Sequence, residues 1–268
     1  AISYKPLWNP GPNPGNDGDD IHHAAFGLFN GEVVIHRADL STIDLGPSKV
    51  IASFNCCKEW IQDMKFSPNN KMLAVSSHDN MIYIIDIDSE NQKYMSNCMA
   101  ICQGHSSYIA HIDFSQDSRY IQSTCGAYEL LFWDTNYIKG KNRTFVERKL
   151  NISNDSTKSK KPRKIKQVNH VAQFTGKKWN TFTVPLGWDV QGIWPPNVDG
   201  TDINAVERSH GSTEGNSELQ GGANGNLIAI ADDFGMVKLM RYPCVSNSQL
   251  SKSYRGHSAH VTNVVFHR

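Results

Sequence analysis

A repeat with a period of 48 residues is the feature that most constrains what this chain folds into. Four positions of one unit recur in the next, and the pairs are Ile61 with Ile109, Phe66 with Phe114, Ser67 with Ser115, and Asp86 with Asp134. Self-similarity at a period of about 40 to 50 residues is typical of architectures built from repeated supersecondary units. The chain is therefore expected to stack similar units side by side.

The second unit indicates what each repeat is made of. It begins at Gly104-His105, contains two strand-like runs at 111–114 and 120–123, and ends at Trp133-Asp134. The runs alternate in polarity and are rich in β-branched and aromatic residues, which favours half-buried strands. Gly-His before a unit and Trp-Asp at its end are typical of a WD40 β-propeller blade. The sequence thus predicts an all-β, WD40-type β-propeller with four-stranded antiparallel blades.

Blade pieces are predicted over residues 24–38, 60–88, 105–135, 201–242 and 256–268 within a propeller portion covering 1–268. Asn30-Gly31 is a hairpin-turn signal in the first piece, whose opening strand is expected to be absent. We expect a partial propeller from a longer chain. A ring closed by pairing 261–266 with the N-terminal strands is the alternative, because open strand edges leave backbone groups unpaired.

Two polar segments are predicted as surface loops inserted between strands. One is a basic insert at 139–176, and the other is a Gly-, Ser- and Asn-rich insert at 211–226. Such compositions do not bury enough apolar surface to offset their ordering entropy. The whole chain has a formal charge of +1, whereas residues 139–166 carry eleven Lys or Arg against two acids. The positive charge is therefore a local feature that points to an acidic partner.

Polar residues at fixed blade positions are interpreted as structural. His105, Ser123 and Trp133 fit a buried hydrogen-bonded set, although Ala127 stands where the usual Asp of that set is expected. Equivalent positions in other blades complete the predicted structural network, and they are Asp79, Asp233 and His257.

Catalytic and metal chemistry find little support in the sequence. It contains no G-x-S-x-G elbow and no P-loop, and no carboxylate pair is placed for acid–base work. The six cysteines form no paired C-x2-C knuckles, so reduced thiols are expected and no zinc site is predicted. We therefore expect no enzyme activity, no cofactor and no metal.

Several strings go beyond the generic repeat. In chain order they are Ser-Ser-His-Asp-Asn at 76–80, Gly-His-Ser-Ser-Tyr-Ile at 104–109, Gly-Trp-Asp-Val-Gln-Gly-Ile-Trp-Pro at 187–195, Asp-Gly-Thr-Asp-Ile-Asn at 199–204, Asp-Asp-Phe-Gly at 232–235, and Gly-His-Ser-Ala-His-Val at 256–261. Together they resemble the later blades of the echinoderm microtubule-associated protein-like (EMAP-like) family. The resemblance implies a tandem pair of atypical propellers.

The same resemblance implies binding to microtubules and to other cytoskeletal or axonemal proteins, in the cytoplasm and cytoskeleton or in cilia and axonemes. Tubulin presents an acidic surface, and the candidate contacts are Lys158, Lys160, Lys161, Arg163, Lys164 and Lys166. A solvated loop is the alternative interpretation of this run. Nucleic acid is disfavoured because no aromatics interleave the charges, and no membrane contact is expected. The rival function is a propeller adaptor, such as a ubiquitin-ligase receptor or trafficking scaffold, that does not bind tubulin directly.

Overall fold

The computed structural model describes residues 2–4, 21–39, 49–88, 93–136, 162–194, 196, 202–209 and 226–266. Within these residues the chain forms strands and short 3-10 helices, among them Val171–Phe174 and Trp188–Ile193. The strands are β1 Ile2–Tyr4, β2 Ile21–Gly27, β3 Glu32–Asp39, β4 Lys49–Asn55, β5 Ile61–Phe66, β6 Met72–Ser77, β7 Met81–Asp88, β8 Lys93–Gln103, β9 Ile109–Phe114, β10 Tyr120–Cys125, β11 Leu130–Asp134, β12 Arg163–Ile165, β13 Ile203–Arg208, β14 Leu227–Asp232, β15 Met236–Arg241 and β16 Ser251–Arg255.

These strands make four sheets, numbered here along the chain. The first sheet is β1-β2-β3-β4, the second is β5-β6-β7-β8 with β12 on its outer edge, the third is β9-β10-β11, and the fourth is β13-β14-β15-β16. All pairings are antiparallel except that of β12 with β8. No helix in the described ranges is long and apolar enough to cross a bilayer. The all-β propeller-type architecture predicted from the repeat is confirmed.

The 48-residue repeat corresponds to equivalent strands in the second and third sheets. Strand β5 and strand β9 begin and end 48 residues apart, and so do the pairings of Phe66 with Leu73 and of Phe114 with Ile121. The turns match as well, because Ser67 Oγ accepts the Met72 N–H at 2.9 Å just as Ser115 accepts the N–H of the equivalent residue. The serine hydroxyls thus fix the same tight turn in both units.

The core consists of apolar layers between consecutive sheets. One cluster joins the first and second sheets through Val33, Ile35 and Met64, all fully buried. A second cluster joins the second and third sheets, with Trp133 fully buried at its centre. A third lies between the third and fourth sheets and includes Phe132. Because each sheet is covered by its neighbours, blade stacking supplies the hydrophobic burial on which the fold depends.

The structure differs from the sequence predictions at the first blade. Strand β1 pairs with β2 through Ile2 opposite Phe26, so the opening strand that was expected to be absent is present. Strand β4 adds a fourth member beyond the predicted piece at 24–38. The described residues also show three strands in the third sheet and five in the second, so four-stranded blades are not uniform.

The segment 256–266 also departs from expectation, because it contains no strand. The Val261 N–H donates to the Asp232 carbonyl at 2.9 Å, and the Val261 side chain packs with Ala205 and Ala231 of the fourth sheet. The segment therefore lies against the fourth sheet and does not pair with the N-terminal strands in the described residues.

Part of the insert predicted as a loop at 139–176 is ordered against the sheets. Strand β12 pairs with β8, and Phe174 is buried in the third cluster, where it stacks on Phe132 with ring centroids 4.1 Å apart. Apolar residues at 165 and 174 supply the burial that the prediction overlooked. Residues 139–161 of this insert, and 211–225 of the Gly-rich insert, lie outside the described residues.

Candidate functional site

The basic segment of the insert runs along the outer edge of two neighbouring sheets. Arg163 and Ile165 pair in parallel with Ala100 and Cys102 of β8. Three residues after Ile165 the Val168 N–H donates to the Phe132 carbonyl of β11 at 2.8 Å. The segment 163–168, called here the rim segment, therefore joins the outer edges of the second and third sheets.

Side-chain alternation explains which way the charges face. Ile165 is buried in the cluster between the second and third sheets, whereas Lys164 and Lys166 on either side of it are exposed. Successive side chains of a strand point to opposite faces, so burying one apolar residue turns both neighbours outward. The rim segment thus presents its cations on a backbone fixed at both ends.

The structure locates half of the predicted acidic-partner contacts. Arg163, Lys164 and Lys166 are exposed on the rim segment. The other three, Lys158, Lys160 and Lys161, lie outside the described residues.

The predicted blade network contains a hydrogen-bonded set in the third sheet. Ser123 Oγ lies 2.7 Å from His105 Nε2 and accepts the Trp133 indole N–H at 2.8 Å. Ser123 and Trp133 have no solvent exposure. The Ser123 hydroxyl therefore satisfies both the indole N–H and the Nε2 side of the imidazole in the interior, which is a packing arrangement.

Sequence reasoning missed Glu129, which occupies the acidic place in this set. Its Oε2 lies 3.3 Å from His105 Nδ1 and accepts the Ser106 N–H at 2.9 Å and the Cys125 thiol at 3.2 Å. The Ser106 N–H and its other donors hold the pKa of Glu129 at about 2, so the carboxylate is ionised at neutral pH. The sequence does hold a signal that could have identified Glu129, which is a carboxylate two residues beyond Ala127 in the same hairpin.

The three remaining network residues lie apart from this set. Asp79 accepts the Tyr83 hydroxyl at 2.6 Å, and Asp233 accepts the Asn204 side-chain amide at 2.7 Å. His257 is exposed and does not enter a buried set.

A buried carboxylate, Asp113, connects the third sheet to an irregular segment that precedes the fourth. It accepts hydrogen bonds from the Thr181 hydroxyl at 2.9 Å and the Phe182 N–H at 2.6 Å. Burial raises the pKa of Asp113 to about 6 against the opposing effect of these donors and of Lys65. The segment around Thr181 therefore depends on one side chain whose charge is costly to bury.

Exposed aromatic rings form a second surface feature, where the second and third sheets meet. The His78 imidazole stacks on Tyr108 with ring centroids 4.7 Å apart and lies 5.5 Å from the Trp60 ring. Trp60 is 58% exposed and Tyr108 is 41% exposed. These three residues are called here the aromatic stack.

Comparison with known proteins agrees with the geometry. Residues 17–268 match the family described as the echinoderm microtubule-associated protein second beta-propeller. The chain is 36% identical over 267 residues to the 77 kDa echinoderm microtubule-associated protein of Strongylocentrotus purpuratus, covering 98% of this chain and 32% of that protein. It is 37% identical over 224 residues to echinoderm microtubule-associated protein-like 2 of Homo sapiens, covering 84% of this chain and 28% of that protein.

The 77 kDa protein of Lytechinus variegatus is 39% identical over 209 residues, covering 78% of this chain and 25% of that protein. The chain thus spans about a third or less of the length of these relatives. The stacked antiparallel sheets, the 48-residue repeat and these matches together show that the chain belongs to the echinoderm microtubule-associated protein family, in the part described as the second β-propeller.

Proposed function

We propose that this chain is part of a non-enzymatic microtubule-associated protein, and that its rim segment contacts the acidic surface of the polymer. The names of the relatives support microtubule association. The observation that carries the contact is the exposed pair Lys164 and Lys166, held outward by the buried Ile165. This function implies a location in the cytoplasm and cytoskeleton, including cilia and axonemes.

Electrostatics decides how much the rim segment contributes. An exposed ion pair is worth about 0.2–1 kcal/mol and is screened by salt, so several pairs must act together. The run from Lys158 to Lys166 supplies six cations in nine residues. Fixing the end of this run on two sheets reduces the ordering entropy that a free loop loses on binding.

Co-sedimentation with microtubules tests the proposal. We expect the protein to pellet with microtubules at low salt and less at high salt. Replacing Lys164 and Lys166 by Ala removes two exposed pairs and should weaken binding by roughly two- to thirtyfold. Extending the change to Lys160, Lys161 and Arg163 should weaken it further, since these cations belong to the same run.

The matched control removes the same charge from another outer strand. Lys252 and Arg255 are exposed on β16 of the fourth sheet, and replacing both by Ala should leave pelleting unchanged. Equal loss in the two double variants would show that net charge matters and position does not. Pelleting that is the same at low and high salt, and the same with and without the Lys164 and Lys166 substitutions, would contradict the proposed contact.

A protein-interaction scaffold that does not bind tubulin directly is the second candidate, and the aromatic stack favours it. Exposed Trp and Tyr side chains are enriched in protein interfaces, where they act as rigid anchors. If the aromatic stack is the main contact, replacing Trp60 and Tyr108 by Ala abolishes binding of the protein partner. In that case the purified protein either does not pellet with microtubules or pellets equally well with and without these substitutions. The rim-segment variants then show no defect.

A further inference from the structure

Three side chains with metal-binding atoms converge beside the third sheet, although the sequence predicts no metal site. They are His105, in the loop before β9, Cys125, the last residue of β10, and Glu129, in the turn between β10 and β11. The ligand atoms are His105 Nδ1, Cys125 Sγ and Glu129 Oε2, and all lie within 4.8 Å of one another. In the described part of the chain this is the one group of three or more His, Cys, Asp or Glu with that geometry.

Two of the three separations match the edges of a tetrahedral zinc site. With Zn–N and Zn–O bonds of about 2.0–2.1 Å and Zn–S of about 2.3 Å, tetrahedral ligands lie roughly 3.3–3.6 Å apart. Here Nδ1 and Oε2 are 3.3 Å apart, and Sγ and Oε2 are 3.2 Å apart. The edge between the histidine nitrogen and Cys125 Sγ is at most 4.8 Å, so any adjustment on binding an ion falls mainly on this edge.

The surroundings orient the imidazole for binding. Ser123 Oγ contacts His105 Nε2 at 2.7 Å and is itself held by Trp133, so Nδ1 faces the carboxylate. A hydrogen bond to the second ring nitrogen is the usual support of a metal-bound histidine. When Nδ1 binds a metal, the imidazole proton lies on Nε2 and is donated to Ser123 Oγ.

Charge balance also favours a divalent ion. Glu129 and Cys125 bring a carboxylate and a buried thiol to the same point. With Zn²⁺ the thiol loses its proton, and the carboxylate and thiolate together neutralise the two positive charges of the ion. Half-burying a site without net charge costs less free energy than half-burying a single charge.

We propose that His105 Nδ1, Cys125 Sγ and Glu129 Oε2 bind Zn²⁺, with water as the fourth ligand. Water reaches the site from the side of Glu129, whose side chain is 36% exposed, and not from the side of His105, whose side chain is 1% exposed. The mixed nitrogen, sulfur and oxygen set suits zinc, which is borderline in softness. Bound zinc would link the loop before β9 to the β10–β11 hairpin and stabilise the third sheet.

Titration with Co²⁺, followed by absorbance, tests the site in the purified protein. We expect tetrahedral cobalt bands and a thiolate-to-cobalt charge-transfer band, both removed by Zn²⁺. Cys125→Ser should abolish the charge-transfer band and weaken binding at least tenfold. Cys98→Ser is the matched control, because the half-buried Cys98 thiol hydrogen-bonds to the Ile84 and Ala100 carbonyls, which a serine hydroxyl can also do. Cys98→Ser should change neither the charge-transfer band nor the affinity for the metal.

A second measurement needs no variant and remains informative if Cys125→Ser fails to fold. Zinc binding should release one proton per ion, from the Cys125 thiol, and calorimetry in two buffers of different ionisation enthalpy measures this number. Absence of zinc binding at micromolar concentration, no proton release, or a charge-transfer band that persists in Cys125→Ser would overturn the proposal. None of these readouts depends on microtubule binding.

Discussion

Ser123→Ala should destabilise the third sheet more than its small change in volume suggests. The substitution leaves the Trp133 indole N–H and the His105 Nε2 without the hydroxyl that contacts them at 2.8 Å and 2.7 Å. Both groups are buried, and an unsatisfied buried polar group costs about 1–3 kcal/mol. We therefore expect a loss of about 2–6 kcal/mol in the free energy of unfolding, since two groups lose their partner.

Urea and thermal denaturation measure this loss, and the adjacent residue provides a matched control. Thr124 Oγ1 is buried on the same strand and has no hydrogen-bond partner in the described residues. Thr124→Val removes a hydroxyl without leaving an unpaired group, so stability should stay the same or rise by up to about 1 kcal/mol. The midpoint temperature of Ser123→Ala should fall by about 4 °C or more.

A double-mutant cycle identifies the cause. Trp133→Phe removes the indole N–H, so the Ser123→Ala change should cost about 1 kcal/mol less in that background. Additive effects of the two substitutions, or equal losses in Ser123→Ala and Thr124→Val, would refute the argument that paired buried polar groups hold this sheet together.

Two further predictions concern the rim segment and Asp113. Ile165→Ala should cost about 2–5 kcal/mol by opening a cavity between the second and third sheets, and hydrogen exchange should show loss of protection first along residues 163–168. For Asp113, the folded pKa of about 6 lies above the ordinary 3.8, so folding favours the protonated acid and stability falls as pH rises from about 4 to about 6. The fall is about 3 kcal/mol at 1.36 kcal/mol per pH unit, and urea titrations across this window should show it in the wild type and not in Asp113→Asn. Hydrogen-exchange protection of residues 163–168 that is retained in Ile165→Ala would contradict the first assignment. Identical pH profiles of the wild type and Asp113→Asn would contradict the second.

The repeated parts of the fold were predictable because the 48-residue period and the alternation of polar and apolar residues occur in the same segments. Strands β5 and β9 carry the same alternation and end in the same serine turn, so two copies of one pattern reinforce each other. Strand β1 has only three residues and is separated from β2 by 16 residues, so no local pattern marks it. Strand β12 holds one apolar residue among cations, and its pairing is decided by the open edge of β8.

Composition predicts the charge of the candidate site but not its arrangement. The charge of the basic run is visible in composition, whereas the outward direction of Lys164 and Lys166 follows from the burial of Ile165 in a cluster that only the fold creates. His105 and Glu129 are 24 residues apart and meet because the β10–β11 hairpin returns beside the loop before β9. Sequence spacing alone carries no such information.

Zero-length carbodiimide coupling to microtubules, read by mass spectrometry, tests the central claim most directly. The reagent joins an amine to a carboxylate only where the two touch. We predict that Lys164 or Lys166 becomes amide-linked to glutamates of tubulin, that Lys252 does not, and that the links disappear in high salt. Links confined to Lys252, or links at Lys164 that persist unchanged in high salt, would contradict a microtubule contact made by the charges of the rim segment.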